Sequence, residues 1–196
     1  YLSIDTNKAP GKGIVSETIQ FHSTADRYTL DGASSAATLY SNSTTATTNP
    51  ALAIRSVGTN GGQVAAFTYD LAKSIIYTRQ GNPAWAGQER DGNSVVRAND
   101  MFFGGAQAPD WVNLNKVAIP QADEQQRLLA NLIQHMNQDR KPLPHFWYLP
   151  NMKKAVILMA GDDHGTSNGT PSSFDYLIAN CPATCSVLAW RCFRST

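Results

Sequence analysis

Charge is scarce in this chain. Only 16% of its 196 residues are Asp, Glu, Lys or Arg, against the usual quarter. The 16 Lys and Arg nearly cancel the 15 Asp and Glu, leaving a net charge of +1. With no basic excess to neutralise phosphates, nucleic acid is excluded as the main partner. Long apolar runs are missing too. The longest, Ala155 to Ala160, is far short of the roughly 18 residues of a membrane span. No Gly-x-Ser-x-Gly elbow, dinucleotide-binding glycine pattern or P-loop is present, which removes the serine α/β-hydrolase, Rossmann and P-loop readings. No signal peptide is visible at Tyr1. Disorder is excluded by 18 aromatic residues and many β-branched ones.

Three cysteines, Cys181, Cys185 and Cys192, lie close together near the end of the sequence. They read as one disulfide with a leftover thiol or as three reduced thiols. A structural zinc site would want four ligands, and no histidine stands near them. In an exported protein, Cys181–Cys192 or Cys185–Cys192 are the candidate bridges. Low Lys with abundant Ser, Thr, Asn and Gly gives an exported flavour, secreted or periplasmic.

Strand signals come early. Gly13 to Phe21 alternates as one or two strands, and Ala37–Tyr40 and Ala51–Arg55 are shorter ones. Ser41 to Pro50 between them reads as a polar loop. Asn60-Gly61-Gly62 is a turn, Gln63 to Tyr69 a strand, and Asp70 an N-cap for a short helix over Leu71–Tyr77. Residues 81 to 120 carry Gly, Pro, Trp and Asn without a period. Such length in an irregular segment suggests that it lines a site or wraps a neighbour. Leu128, Leu129, Leu132, Ile133 and Met136 then form a helical stripe, with Asp123 and Glu124 in its first turn. Lys141-Pro142-Leu143-Pro144 reads as a linker, followed by the aromatic Phe146 to Leu149. Lys153 to Ala160 reads as a strand buried on both faces of a parallel sheet.

The chemistry is expected where that strand ends, at Gly161-Asp162-Asp163-His164-Gly165. Two carboxylates and an imidazole supply hard oxygen ligands, a nitrogen ligand and a base together. The bland alternative is that an Asp caps the next turn and His164 is merely exposed. For Asp70 a capping role is favoured, and for His22 with Asp26 a structural one. His135 stands at the core edge beside the stripe, and His145 in the linker has no near carboxylate. Trp85, Trp111 and Trp147 would stack on sugar rings, although core packing is the commoner use of tryptophan. Asn42-Ser43-Thr44 and Asn168-Gly169-Thr170 match the glycosylation pattern.

Two resemblances extend this reading. Gly62 to Leu71, Tyr77 to Pro83 and Ile119 to Leu129 resemble the last part of a glutamine-amidotransferase-like, flavodoxin-like domain of large exported bacterial proteins. The family's catalytic cysteine has no counterpart here, so amidotransferase activity is not implied. Ala155 to Gly165 resembles the first strand and motif of a polysaccharide deacetylase (a glycosyl hydrolase/deacetylase domain). Its Thr-Phe-Asp-Asp-Gly is replaced here by Ala160 to His164. That resemblance implies Asp162 as general base and Asp163 as metal ligand. The family's downstream His-x-x-x-His is missing, so the metal site is incomplete or built differently, with calcium held through oxygens as one option and zinc as the other.

The expectation is therefore an α/β protein. A flavodoxin-like sheet with flanking helices spans 1–140, a linker spans 141–150, and 151–196 form the first strand and loops of a second, barrel-like α/β domain. The expected function is metal-assisted hydrolysis of a carbohydrate amide or ester, or of another acyl compound such as a lactone. Asp163 holds a divalent ion, and Asp162 or His164 activates water. The alternative is a non-catalytic accessory or carbohydrate-binding region of a larger exported enzyme. Expected partners are a small molecule or glycan and, through exposed fragment edges, further copies of the chain.

Overall fold

The computed structural model describes residues 1–92, 95–104, 110–139 and 169–180. By its internal contacts the chain divides into Tyr1–Pro144 and His145–Thr196. In the first unit five strands form one sheet: β1 (Leu2–Ser3), β2 (Thr18–Ile19), β3 (Ser34–Tyr40), β4 (Ala46–Val57) and β5 (Gly62–Phe67). Their spatial order is β2-β1-β3-β4-β5, and every neighbouring pair is antiparallel. The helices α1 (Leu71–Gln80) and α2 (Gln121–Asn137) follow. In the second unit, α3 (Gly169–Asn180) is the described helix.

The mixed α/β content agrees with expectation, but the sheet is not the parallel one of a flavodoxin-like fold. The connections decide this. Residues 41–45 join β3 to β4, and residues 58–61 join β4 to β5. Links this short return the chain beside itself, whereas a parallel pair needs a crossover of a dozen residues or more. Gly61, at a φ of 70°, supplies the left-handed residue that closes the second hairpin. The polar stretch before Pro50 was expected as loop to its end, yet Ala46–Pro50 already belong to β4. Register shifts along β3 and β4 mark bulges beside this stretch, which is where a proline fits a sheet. The alternating run from Gly13 contributes only two strand residues.

Both expected helices form. Asp70 caps α1, its Oδ1 accepting the Lys73 N–H at 2.9 Å. Gly81 ends it at a φ of 85°, where a Cβ would lie 2.5 Å from the Met101 carbonyl oxygen. The α2 stripe splits: Leu128 and Leu132 are buried, Met136 packs against the core, and Leu129 and Ile133 stay outside. With Leu2, Ile4, Ile14, Ile19, Ala37, Leu39, Ala51, Leu52 and Tyr69 they make one apolar core between α2 and the sheet.

A buried polar chain runs beside that core. The His22 N–H donates to Ser74 Oγ (2.9 Å), and the Ser74 hydroxyl donates to Gln125 Oε1 (2.7 Å). Gln125 Nε2 donates to the carbonyls of Gln20 and Gln121. The Gln20 N–H in turn reaches Gln121 Oε1 at 2.9 Å. Ser74 and Gln125 are fully buried; the bonds of Gln20 and His22 tie segment 20–22 to both helices, and the Ser74–Gln125 bond ties α1 to α2. One residue earlier, Glu124 accepts the Val15 N–H at 2.6 Å and pairs with Arg127 at 3.2 Å. Replacing Gln125 with Ala should cost about 2–4 kcal/mol, because it strands the Ser74 hydroxyl and the Gln20 carbonyl together. Gln126→Ala, on the outer face, should cost less than about 1 kcal/mol. Urea denaturation of both variants checks the contrast, and equal losses would refute it.

Candidate functional site

The long segment after α1 is irregular, as expected, and it is organised around one carboxylate. Asn82 caps a 3₁₀ turn at Pro83–Trp85, and a second turn spans Ala98–Met101. Within that second turn Asp100 is 1% exposed. Its Oδ1 accepts the backbone N–H groups of Arg90 (2.7 Å) and Asp91 (3.1 Å), and its Oδ2 accepts that of Arg97 (2.8 Å). Three main-chain donors hold this carboxyl below the usual carboxylate range, led by the Arg97 bond.

Glu89 and Asp91 stand beside it, and one ligating oxygen from each of the three carboxylates falls within 4.8 Å of the others. Glu89 accepts the Gly92 N–H at 2.6 Å. Asp91 pairs with Arg97 at 2.5 Å, which raises the Arg97 pKa. The donor set is oxygen alone, with nearly all of Asp100's capacity already engaged. Such a set can hold a metal ion, and it fits a hard cation such as calcium rather than zinc, which prefers nitrogen and sulfur.

This loop is fastened to α1 and to the segment after β2 by aromatic stacking. The Arg90 guanidinium lies 3.8 Å from the Trp85 ring centroid. Trp85 meets Trp111 edge-on at 6.1 Å, and Trp111 stacks on His22 at 4.2 Å and 13°. Trp111 Nε1 donates to the Tyr77 carbonyl at 3.1 Å, and the Trp111 N–H donates to the Phe102 carbonyl at 2.8 Å. Beneath the stack, His22 is buried and its Nε2 has no hydrogen-bond partner among the described residues. Burial lowers its pKa to about 4. Tyr69, stacked on Phe21 at 4.2 Å, likewise buries an unbonded hydroxyl, and burial raises its pKa.

Asp162, Asp163 and His164 lie outside the described residues, as do His145, Trp147, Asn168, the three cysteines and the strand expected over 153–160. Asp70 is the cap it was expected to be. His22 and Asp26 do not bond to one another; Asp26 accepts from Tyr28 at 3.2 Å. Trp85 and Trp111 pack on each other, and Trp111 on His22. His135 sits on α2 with a buried Nδ1 that has no hydrogen-bond partner among the described residues. Asn42 is exposed at the β3–β4 turn, where its Oδ1 accepts from the Thr44 and Thr45 amides.

Sequence reasoning missed Glu89, Asp91 and Asp100. The local signal was the acidic Glu89-Arg90-Asp91-Gly92, but nothing in the sequence joins it to Asp100, since main-chain donors make that junction. No protein-family model, curated protein or solved structure matches this chain. Among the described residues no helix is long and apolar enough to cross a membrane.

The lowered His22 pKa has a definite sign. The unfolded chain takes up the proton near pH 6.5 and the folded one only near 4. Its contribution to stability is therefore present above pH 6.5 and is lost as pH falls towards 4. His22→Phe should flatten that part of the stability–pH profile, as measured by denaturant midpoints between pH 4 and 8. An unchanged slope would show that His22 is not its source.

Proposed function

We propose that the first unit is a non-catalytic accessory region of a larger carbohydrate-active protein, its long loop steadied by a hard divalent cation. The observation that carries this is the convergence of Glu89, Asp91 and Asp100 oxygens within 4.8 Å. They lie on a loop whose path already depends on Asp100. An ion would draw on Glu89, Asp91 and the remaining lone pair of Asp100, and would compete with Arg97 for Asp91. Such a shared, partly neutralised donor set suits the weak end of calcium affinity, on the order of 10⁻⁴ to 10⁻³ M. The site offers charge neutralisation, with the Asp100 oxygens already committed to main-chain donors, and this favours the accessory role. The glycan partner and the exported location come from the sequence expectations.

The second reading is metal-assisted hydrolysis of an acylated carbohydrate or other acyl compound. It is favoured by the succession of an apolar run and Asp162-Asp163-His164. In it Asp163 holds the ion, zinc or calcium, and Asp162 or His164 takes the proton of the attacking water.

Calcium should raise the melting temperature of the intact chain saturably, by several degrees at millimolar concentration. Chelator should reverse the gain, and Asp91→Asn should remove it. A melting temperature indifferent to calcium would refute the cation reading. If chelator-sensitive hydrolysis of acylated sugars is found and vanishes in Asp162→Asn and Asp163→Asn, the hydrolase reading replaces the accessory one.

A further inference from the structure

A second feature lies at the split end of the sheet. β1 pairs with β3 only through Leu2 with Leu39 and Ser3 with Thr38. Continued in register, Ile4 and Asp5 would lie opposite Ala37 and Ala36. Instead the chain swings away, and the Ile4 N–H donates to the Glu17 carbonyl at 2.9 Å. The first half of β3 thus loses its neighbour on that side. The Ser35 hydroxyl folds back onto the Ala37 carbonyl at 2.9 Å, serving an acceptor along the gap.

The gap is a cleft of about 440 Å³, inside the range of roughly 300–1,000 Å³ typical of small-ligand sites. Ser3, Asp5, Asn7, Glu17, Ser35 and Ala36 are among its lining residues. Ala36 brings only a methyl group to the lining, while the other side chains bring hydroxyls, an amide and two carboxylates. Asp5 is already balanced, by Lys8 at 3.1 Å and the Asn7 N–H at 3.0 Å. Glu17 differs: it is exposed and has no ion pair among the described residues. Lys116 reaches the neighbouring Ser16 Oγ and Thr18 carbonyl instead. The cleft therefore carries one uncompensated negative charge amid hydroxyl and amide groups. Its complement is a small molecule with at least one ammonium group and several hydroxyls.

We propose that this cleft binds an amine-bearing sugar, with Glu17 pairing with its ammonium and Ser3, Asn7 and Ser35 bonding its hydroxyls. The choice of a sugar over another hydroxylated amine rests on the accessory reading above. The cleft itself shares no residue with the Glu89–Asp91–Asp100 cluster.

The test uses the full chain and a glucosamine trimer, measured by titration calorimetry in low salt with chelator present. Saturable binding is expected. It should weaken at least tenfold in Glu17→Gln, and at least tenfold for the N-acetylated trimer, which lacks the ammonium. Glu17 is exposed, so that variant should keep the wild-type melting temperature. Ala36→Gln, which puts a long side chain into the lining, should also abolish binding, and its thermal melt checks that it is folded. No binding, equal binding of the N-acetylated trimer, or an unaffected Glu17→Gln would overturn the proposal. Equal binding of spermidine would overturn the sugar assignment and leave a general ammonium site. Because chelator is present throughout, failure here is distinct from failure of the cation reading.

Discussion

The buried bond chain from His22 through Ser74 to Gln125 is the constraint on which the rest of the first unit depends. A glutamine with no exposure is costly unless each of its polar atoms is answered. Here its oxygen is answered by α1 and its nitrogen by α2 and the segment leading out of β2. Satisfying that one side chain therefore fixes the relative placement of two helices and the sheet edge. Leu128 and Leu132, one turn and two turns further along α2, are then directed into the core.

That placement sets the stage for the long loop. Because His22 is held at its backbone by Ser74, its ring presents a fixed surface on which Trp111 stacks. Trp111 and Trp85 then carry the loop back to Arg90, where Asp100 gathers three backbone donors. The loop is fastened at one end by aromatic surface and at the other by a carboxylate. The acidic cluster exists because a turn needs its main-chain donors satisfied, and two further acids stand within reach of the group that does so. A cation there would share duties already performed by Arg97.

Much of this was legible from local rules. The Asp70 cap, the α2 stripe and the Asn60–Gly62 turn were read from chemistry that acts within a few residues, and such signals survive folding. The parallel sheet was expected from the resemblance to flavodoxin-like domains, and the short links 41–45 and 58–61 overrule it. The cluster of Glu89, Asp91 and Asp100 was not legible, since its members meet through backbone amides that no side-chain pattern records. The cleft beside Glu17 was hidden for a similar reason: it arises where β1 leaves β3, a choice made by the Ile4 amide.

The sequence by itself determined the scarcity of charge, the Asp70 cap of α1, the buried face of α2 and the Asn60–Gly62 turn. These follow from composition and from spacings that a helix or strand turns into faces. Only the tertiary structure decided that the sheet is antiparallel throughout, that Gln125 is a core residue, and that Asp100 gathers the loop. The physical reason is common to all three. Each rests on hydrogen bonds between groups distant in sequence or carried by the main chain, and their partners are chosen by what burial leaves unsatisfied.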